Sequence, residues 1–241
     1  MSNFPQDPVL NYRARDEAYV STAVVSRFMS NVYAWMCVGL ATTALVAWYV
    51  ASQPSWLRSI YSPGTFIVLL IVELGLVWAV AGAIQRISAG VATALFVLYS
   101  AINGATLAFV FVVYDLPTVG TAFAVTAGMF GVMSVIGFVT KRDLSGFGSF
   151  LFMALIGLVI ASVVNLFVAS SALYWITTYA GVLIFLGLTV YDTNKLKQWA
   201  YATEGDQAMA QRLAIVGSLS LYLDFINLFL LMLRLLAKAR E

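Results

Sequence analysis

The chain has 241 residues, of which 62% are hydrophobic and only 10% are charged, and its formal net charge is +2. A water-soluble domain is nearer half apolar and a quarter charged, so this composition is typical of a membrane protein. The sequence contains no histidine and a single cysteine, Cys37, which excludes an internal disulfide and a metal centre built on several Cys or His ligands. It also contains no basic block of the kind that binds nucleic acid.

Seven apolar stretches of about 20 residues, the length that crosses a bilayer core, follow a polar N-terminal region. Residues 1–28, with Pro5, Pro8 and several charges, predict a flexible cytosolic tail. The apolar stretches lie near 29–51, 65–84, 90–113, 119–139, 149–169, 174–191 and 215–236. The sequence therefore predicts an all-α protein with a tail (1–28) and one seven-helix transmembrane domain (29–238). One long, charged connection is expected near 192–212.

The distribution of Lys and Arg predicts the orientation. With the N-terminus in the cytosol, nine of these residues lie on the inner side and three on the outer side. An alternative with six spans and a re-entrant last segment would return Lys238 and Arg240 to the cytosol, and it fits the charge rule slightly better. Both topologies are consistent with the sequence.

Small residues predict where helices approach each other closely, because short side chains let helix backbones come together. Gly128 and Gly131 lie in the fourth predicted span. Gly181 and Gly187 lie in the sixth. Gly75, Ala79, Gly82 and Ala83 lie in the second. We expect close helix contacts at all of these positions.

The last span carries Asp224, Asn227 and Arg234 within an apolar stretch. Helical spacing places 224, 227, 231 and 234 on one stripe. Charged groups are costly in hydrocarbon, so we expect this stripe to face a protein interior or a water-filled cavity. The last helix is therefore expected to be central, with the other six around it.

Two of the few ionisable groups in the spans are predicted to form a proton-sharing pair. Asp192 ends the sixth predicted span on the cytosolic side, and Asp224 is expected at a similar depth in the seventh. Two carboxylates in a dry site cannot both ionise cheaply, so they would share a proton. Protonated, the pair would tie the two helices together; deprotonated, it would repel and offer oxygen ligands to a hard cation such as Ca²⁺. The alternative is that each Asp separately caps a helix end or bonds a hydroxyl.

Glu73 and Arg234 are the other two intramembrane charges. Glu73 lies near the middle of the second span, and Arg234 lies near the outer end of the seventh. We expect an ion pair between them that closes the outer half of a pore. The alternative is that Arg234 extends to lipid headgroups while Glu73 stays protonated.

Motifs of common enzymes are absent from the sequence, which contains no Walker loop, HExxH, GxSxG or EF-hand loop. An intramembrane aspartyl protease is disfavoured, because the Tyr191-Asp192 pair has no accompanying GxGD motif. We therefore predict that the protein is not an enzyme and needs no cofactor, with Ca²⁺ only as a permeating ion.

Four segments resemble the Bax inhibitor-1 family of membrane proteins, and its bacterial members most closely. They are VYDTNKL (190–196), LYLDFINLFLLMLR (221–234), TKRDLSGFG (140–148) and FMALIGLVIASVVN (152–165). The similarity extends from about Tyr33 to Leu236. It implies a fold of six helices around a central seventh.

The resemblance also implies a function and roles for individual residues. It implies a pH-sensitive calcium leak in which Asp192 and Asp224 form a proton-sharing latch at the cytosolic side. It implies that Glu73 and Arg234 correspond to the family's acid in the second helix and base in the seventh. Arg86 is the nearest candidate for an arginine beside the latch, although its position does not align with the family pattern.

The leading hypothesis is thus a proton-regulated Ca²⁺ leak of the bacterial inner membrane, with the N-terminus in the cytosol. Bacterial relatives are also linked to a membrane-anchored AAA protease. The rival hypothesis is therefore an interaction protein that modulates membrane proteolysis without transport, with residues 1–28 as its contact surface. A third hypothesis is a structural membrane protein in which the acids only hold helices together.

Overall fold

The computed structural model describes residues 8–82 and 86–238, with side chains from residue 23 to residue 237. Within these residues the chain forms nine helices and no strand. The helices are α1 (Pro8–Ala51), α2 (Pro54–Ile60), α3 (Pro63–Gly82), α4 (Ala89–Thr106), α5 (Phe109–Val113), α6 (Leu116–Val139), α7 (Ser145–Val168), α8 (Ser171–Ala202) and α9 (Gln207–Lys238).

Seven segments of these helices are long and apolar enough to cross a membrane. They are Ala23–Ala51, Pro63–Gly82, Ala89–Val113, Leu116–Val139, Ser145–Val168, Ser171–Ala202 and Gln207–Ala237. The all-α fold with seven candidate spans is therefore confirmed, in the predicted order. The short helix α2 lies between the first and second spans, and α4 and α5 together form the third.

The predicted boundaries are wrong at two places. The α1 helix begins at Pro8, inside the predicted tail 1–28, although the side chains of residues 1–22 lie outside the described residues. The predicted long connection at 192–212 is instead helix on both sides, and only four residues separate α8 from α9. Charged and polar residues continue α8 beyond Asp192, and the break comes at Gly205, whose φ of 88° is a conformation that glycine adopts at little cost.

The α9 helix is the most enclosed of the seven candidate spans. In its most apolar part 72% of the residues are buried, against 44% or less in the others. It runs without interruption from Gln207 to Lys238. A re-entrant segment needs a turn inside the membrane, so this continuity favours a seventh span over the six-span alternative.

Helix packing places α9 against α1, α3, α4, α6 and α8. The α7 helix packs mainly against α8, and only 6% of its span is buried inside the protein. Five helices therefore pack closely on α9, and the complete arrangement of six around a seventh stays a prediction.

The third span is interrupted between α4 and α5, and Tyr61 binds the backbone at this break. The Tyr61 hydroxyl donates to the Thr106 carbonyl at 2.9 Å and accepts from the Phe109 amide at 2.8 Å. Burial raises the pKa of Tyr61, and the bond from Phe109 opposes that shift. Backbone groups freed at membrane depth need such partners, because lipid offers none. The break is therefore a fixed feature of the fold.

Close helix contacts occur at only some of the predicted glycines. Gly181 and Gly187 lie against leucine side chains of neighbouring helices, as expected. An added Cβ would meet no atom within 4 Å at Gly75, Gly82, Gly128 or Gly131, so the prediction for these four was wrong. Ala83 lies outside the described residues. Gly104, which the sequence did not single out, also lies close to a neighbouring backbone: an added Cβ would lie 2.6 Å from the Thr43 carbonyl oxygen of α1.

We expect Gly104→Ala to destabilise the bundle, because the new methyl would meet backbone that cannot move aside. Overpacking of this kind costs about 1–3 kcal/mol. Gly128→Ala is the matched control, since nothing lies within 4 Å of its added Cβ. Thermal unfolding followed by circular dichroism should show a lower midpoint for Gly104→Ala only. Equal midpoints for the two variants would contradict the predicted contact between α1 and α4.

Candidate functional site

One cavity of about 1000 Å³ lies between α7, α8 and α9. Its α9 wall is formed by Ser220, Asp224, Asn227, Leu231 and Arg234. These residues recur every three or four positions, which is the spacing of one helix face. The predicted stripe at 224, 227, 231 and 234 is therefore confirmed, and it faces a cavity between helices.

The second acid, Asp192, comes to this cavity from α8. The two helices run antiparallel, with Gly217 of α9 against Leu196 of α8. Asp224 lies seven residues after Gly217 on α9. The position at the same depth on α8 lies seven residues before Leu196, at Thr189, and Asp192 is three residues from Thr189. The two acids therefore lie within about one helical turn of the same depth.

The two carboxyls differ in their surroundings. Asp224 is 5% exposed, and its Oδ2 atom is buried without a hydrogen-bond partner in the described structure. Asp192 is half-buried, and its charge acts on Asp224. No hydrogen bond joins the two groups in the described structure. Asp192 also lies ten residues before the end of α8, so it does not cap a helix end, which was one of the two forms of the alternative interpretation.

Lys195 is a site residue that the sequence analysis did not identify. It lies one helical turn after Asp192, lines the same cavity and interacts electrostatically with the Asp192 carboxyl. Its ammonium is held over two rings, 4.9 Å from the centroid of Trp199 and 5.8 Å from that of Tyr191. The three-residue spacing of Asp192 and Lys195 could have indicated that both lie on one helix face. The charge of Lys195 had been used only to predict the orientation in the membrane.

Arg234 lies at the other end of the cavity. Its side chain is exposed, and its guanidinium carbon is 5.6 Å from the ring centroid of Tyr174 at the start of α8. Tyr114, in the connection between α5 and α6, is close enough to sense this charge. Burial and then Tyr174 raise the pKa of Tyr114, whereas Arg234 lowers it. The arginine therefore lies against the ring of Tyr174, with Tyr114 near enough to interact with its charge.

The structure does not bring Glu73 and Arg234 together. Glu73 is 8% exposed and accepts hydrogen bonds from Thr106 at 2.7 Å and Asn103 at 3.4 Å, both on α4. Among the described residues, no ion pair joins it to Arg234. The reason is direction: the polar stripe of α9 faces α7 and α8, whereas α3 packs against α4. The expected ion pair relied on similar depths in the membrane, and depth does not show which neighbouring helix a side chain faces.

Arg86 is not among the residues that line the cavity of the two acids. It is exposed in the turn between α3 and α4, next to residues 83–85, which lie outside the described residues. In the part of the chain that the structure describes, no group of three or more His, Cys, Asp or Glu side chains could hold a metal ion. A Ca²⁺ ion at the pair would therefore draw on Asp192, Asp224 and neutral oxygens.

A sequence model of one protein family matches nearly the whole chain. It is described as inhibitor of apoptosis-promoting Bax1, and it matches residues 25–241. The chain belongs to the Bax inhibitor-1 family. The resemblance inferred from the four segments is thereby confirmed.

Relatives of this Bax inhibitor-1 family member occur in distant bacteria. The inner membrane protein YbhL of Escherichia coli (strain K12) is 47% identical over 243 aligned positions, covering all of both chains. An uncharacterized protein of Deinococcus radiodurans is 46% identical over 88% of this chain and 90% of its own. An uncharacterized protein of Borreliella burgdorferi is 40% identical over 90% of this chain and 94% of its own. The name of the E. coli relative describes a membrane protein, and none of the three names indicates a catalytic activity.

Water should reach the cavity face of α9 but not its opposite face, which two serines can test. Ser220 lines the cavity, whereas Ser218 is fully buried and bonded to the Val32 and Ala214 carbonyls. In a Cys37→Ser background we expect Ser220→Cys to react with a water-soluble thiol reagent at least about tenfold faster than Ser218→Cys, which needs local opening. Mass spectrometry of protein in lipid nanodiscs measures both rates. Similar rates would mean that the cavity is closed to water.

Proposed function

We propose that this multi-pass member of the Bax inhibitor-1 family is a passive cation leak of the bacterial inner membrane, regulated by a proton that Asp192 and Asp224 share. Ca²⁺ is the proposed permeating ion. The observation that carries the proposal is that acids from two neighbouring membrane helices open onto one cavity. One of them, Asp224, has a buried oxygen without a protein partner.

The electrostatics of such a pair support control by pH. Two negative charges on adjoining helices repel strongly where little water screens them. With one proton between them, the carboxyls can form a short hydrogen bond that joins α8 to α9. Loss of that proton replaces attraction by repulsion. The expected result is a closed state in acid and a more open state as the pH rises.

The cavity offers oxygen ligands suited to a transiently bound cation. Ca²⁺ takes six to eight oxygens, and carboxylates and amide carbonyls are among its usual ligands. Asp192 and Asp224, with Asn227 and Ser220 beside them, supply part of that number. Water would have to supply the rest. Incomplete coordination suits passage, because an ion that binds weakly can leave.

The charge at the far end of the cavity fits a slow leak. Arg234 lies ten residues beyond Asp224 on α9, or about 15 Å along the helix. A fixed positive charge in a pathway raises the barrier to cations. We therefore propose that Arg234 limits the rate of cation entry by its own charge, without an acidic partner.

The proposed orientation and location follow from the sequence and from one relative. The excess of Lys and Arg on one side favours a cytosolic N-terminus. The E. coli relative is named an inner membrane protein. On this orientation the Asp192–Asp224 pair lies toward the cytosol and Arg234 toward the outside.

The rival hypothesis, modulation of a membrane AAA protease, stays a prediction. Its contact surface was residues 1–28, and the side chains of residues 1–22 lie outside the described residues. Removal of residues 1–22 distinguishes the two hypotheses. The leak proposal expects unchanged cation flux, whereas the rival expects no flux in either form and loss of protease co-purification.

Flux measurements on reconstituted protein test the leak directly. In liposomes loaded with a calcium indicator, we expect Ca²⁺ entry to rise with pH by at most about tenfold per unit, the limit for one proton. Asp192→Asn and Asp224→Asn should each remove this pH dependence, because the pair in each variant has only one carboxyl and cannot carry two negative charges.

Asp143→Asn is the matched control for these variants. The Ser145 amide donates to Asp143 at 2.9 Å and holds the pKa of this exposed carboxyl below its usual range, so it stays ionised near neutral pH. Its replacement should leave both flux and pH profile unchanged. The same pH profile in wild type and in both pair variants would refute the shared proton.

A further inference from the structure

Glu73 is a buried acid that the proposed pathway does not use. It is one of only two buried residues of α3, the other being Val80. The rest of this helix presents apolar side chains outward, and only 11% of the span is buried. A carboxyl is a costly side chain for the buried face of such a helix, so its surroundings are informative.

A hydrogen-bond network that begins at Glu73 connects α3 to three other helices. Thr106 and Asn103 bind its two oxygens from α4. The Asn103 side-chain carbonyl accepts from the Tyr222 hydroxyl of α9 at 2.9 Å, and that hydroxyl is 2.6 Å from the Thr43 hydroxyl of α1. All five residues are buried. Buried networks of this kind are stable only when every member is satisfied.

Thr106 allows the network to satisfy either protonation state of Glu73. Its hydroxyl oxygen is 2.7 Å from Glu73 Oε1 and 3.0 Å from the Asn103 main-chain carbonyl. With Glu73 ionised, Thr106 and the Asn103 amide both donate to the carboxylate. With Glu73 protonated, the carboxyl donates to Thr106, and Thr106 turns its hydrogen to the Asn103 carbonyl. Only two O–H bonds rotate between these arrangements.

We propose that Glu73 is a proton-binding site separate from the Asp192–Asp224 pair, and that Thr106 is the positioning residue that lets it take up and release a proton without moving α3. The ligand of this site is a proton alone. The proposal does not depend on the proposed leak, because it concerns uptake of a proton and not passage of an ion.

The groups around Glu73 fit a site for a proton rather than for a metal ion. The titratable side chains that face it are Tyr99 of α4 and Tyr222 of α9, and both interact with it electrostatically. From α1 the network receives only the hydroxyl of Thr43. No charged partner faces Glu73 among the described residues. Tyr222 lies two residues before Asp224, so the network includes the helix that carries Asp224.

Infrared difference spectroscopy on protein labelled with ¹³C-glutamate tests the site. Of the four glutamates in the sequence, only Glu73 lies within a candidate span. A labelled carboxyl band of a weakly hydrated group should therefore appear and disappear with pH in the folded wild type. Absence of any such band, while circular dichroism shows a folded protein, would overturn the proposal and leave Glu73 as a fixed tether.

Variants identify the group responsible. Glu73→Gln reproduces the neutral arrangement, since an amide can donate to Thr106 and accept from Asn103, and it should abolish the band. Glu204→Gln, at an exposed position between α8 and α9, should retain it. The double variant Asp192→Asn/Asp224→Asn should also retain it. Loss of the band in this double variant would show that the site is not separate from the pair.

The role of Thr106 has its own control. Thr106→Val keeps the shape and removes the hydroxyl, and it should move the pH midpoint of the band by about one unit or more. Thr189→Val removes an equally buried hydroxyl that bonds only the Phe185 carbonyl of its own helix, and it should leave the midpoint unchanged. An unchanged midpoint in Thr106→Val would overturn the role assigned to Thr106.

Discussion

The cost of placing charge in hydrocarbon governs the arrangement of this bundle. Asp224 would be costly on a lipid-facing helix, and it lies on α9, the most enclosed span, facing a cavity that also contains a second acid. Glu73 lies on α3, one of the most exposed spans, yet its side chain is turned to the single face that meets α4. In both cases the polar group determines which face of the helix turns inward.

The α9 helix therefore has polar partners in two directions. Asp224 and Asn227 face the cavity beside α7 and α8. Tyr222 and Ser218 bond to α4 and α1 on the other side. Polar contacts on one side alone would leave the helix free to turn about its axis, but contacts on two sides fix its rotation. The proposed proton sites therefore lie on two different sides of one helix whose rotation is fixed.

Much of this architecture could be predicted from composition and periodicity. The length of an apolar stretch defines a span, and helical spacing placed 224, 227, 231 and 234 on one face. The extension of α8 past Asp192 was missed, because charged residues that suit a helix were interpreted as a loop. The direction of Glu73 could not be predicted, because sequence gives depth along a helix and not which neighbour each face meets. Contacts such as that between Thr106 and Glu73 depend on packing across 33 positions of sequence.

The loose attachment of α7 gives the surrounding lipid a part in the cavity. This helix packs mainly on α8, and three of the residues with which it lines the cavity, Phe152, Met153 and Val159, are more than half exposed. In a bilayer, acyl chains would complete the wall on this side of the cavity. Under the proposed function, the medium around Asp192 and Asp224 would then be set in part by the bilayer, so that the thickness and fluidity of the host membrane would act on the same site as its pH.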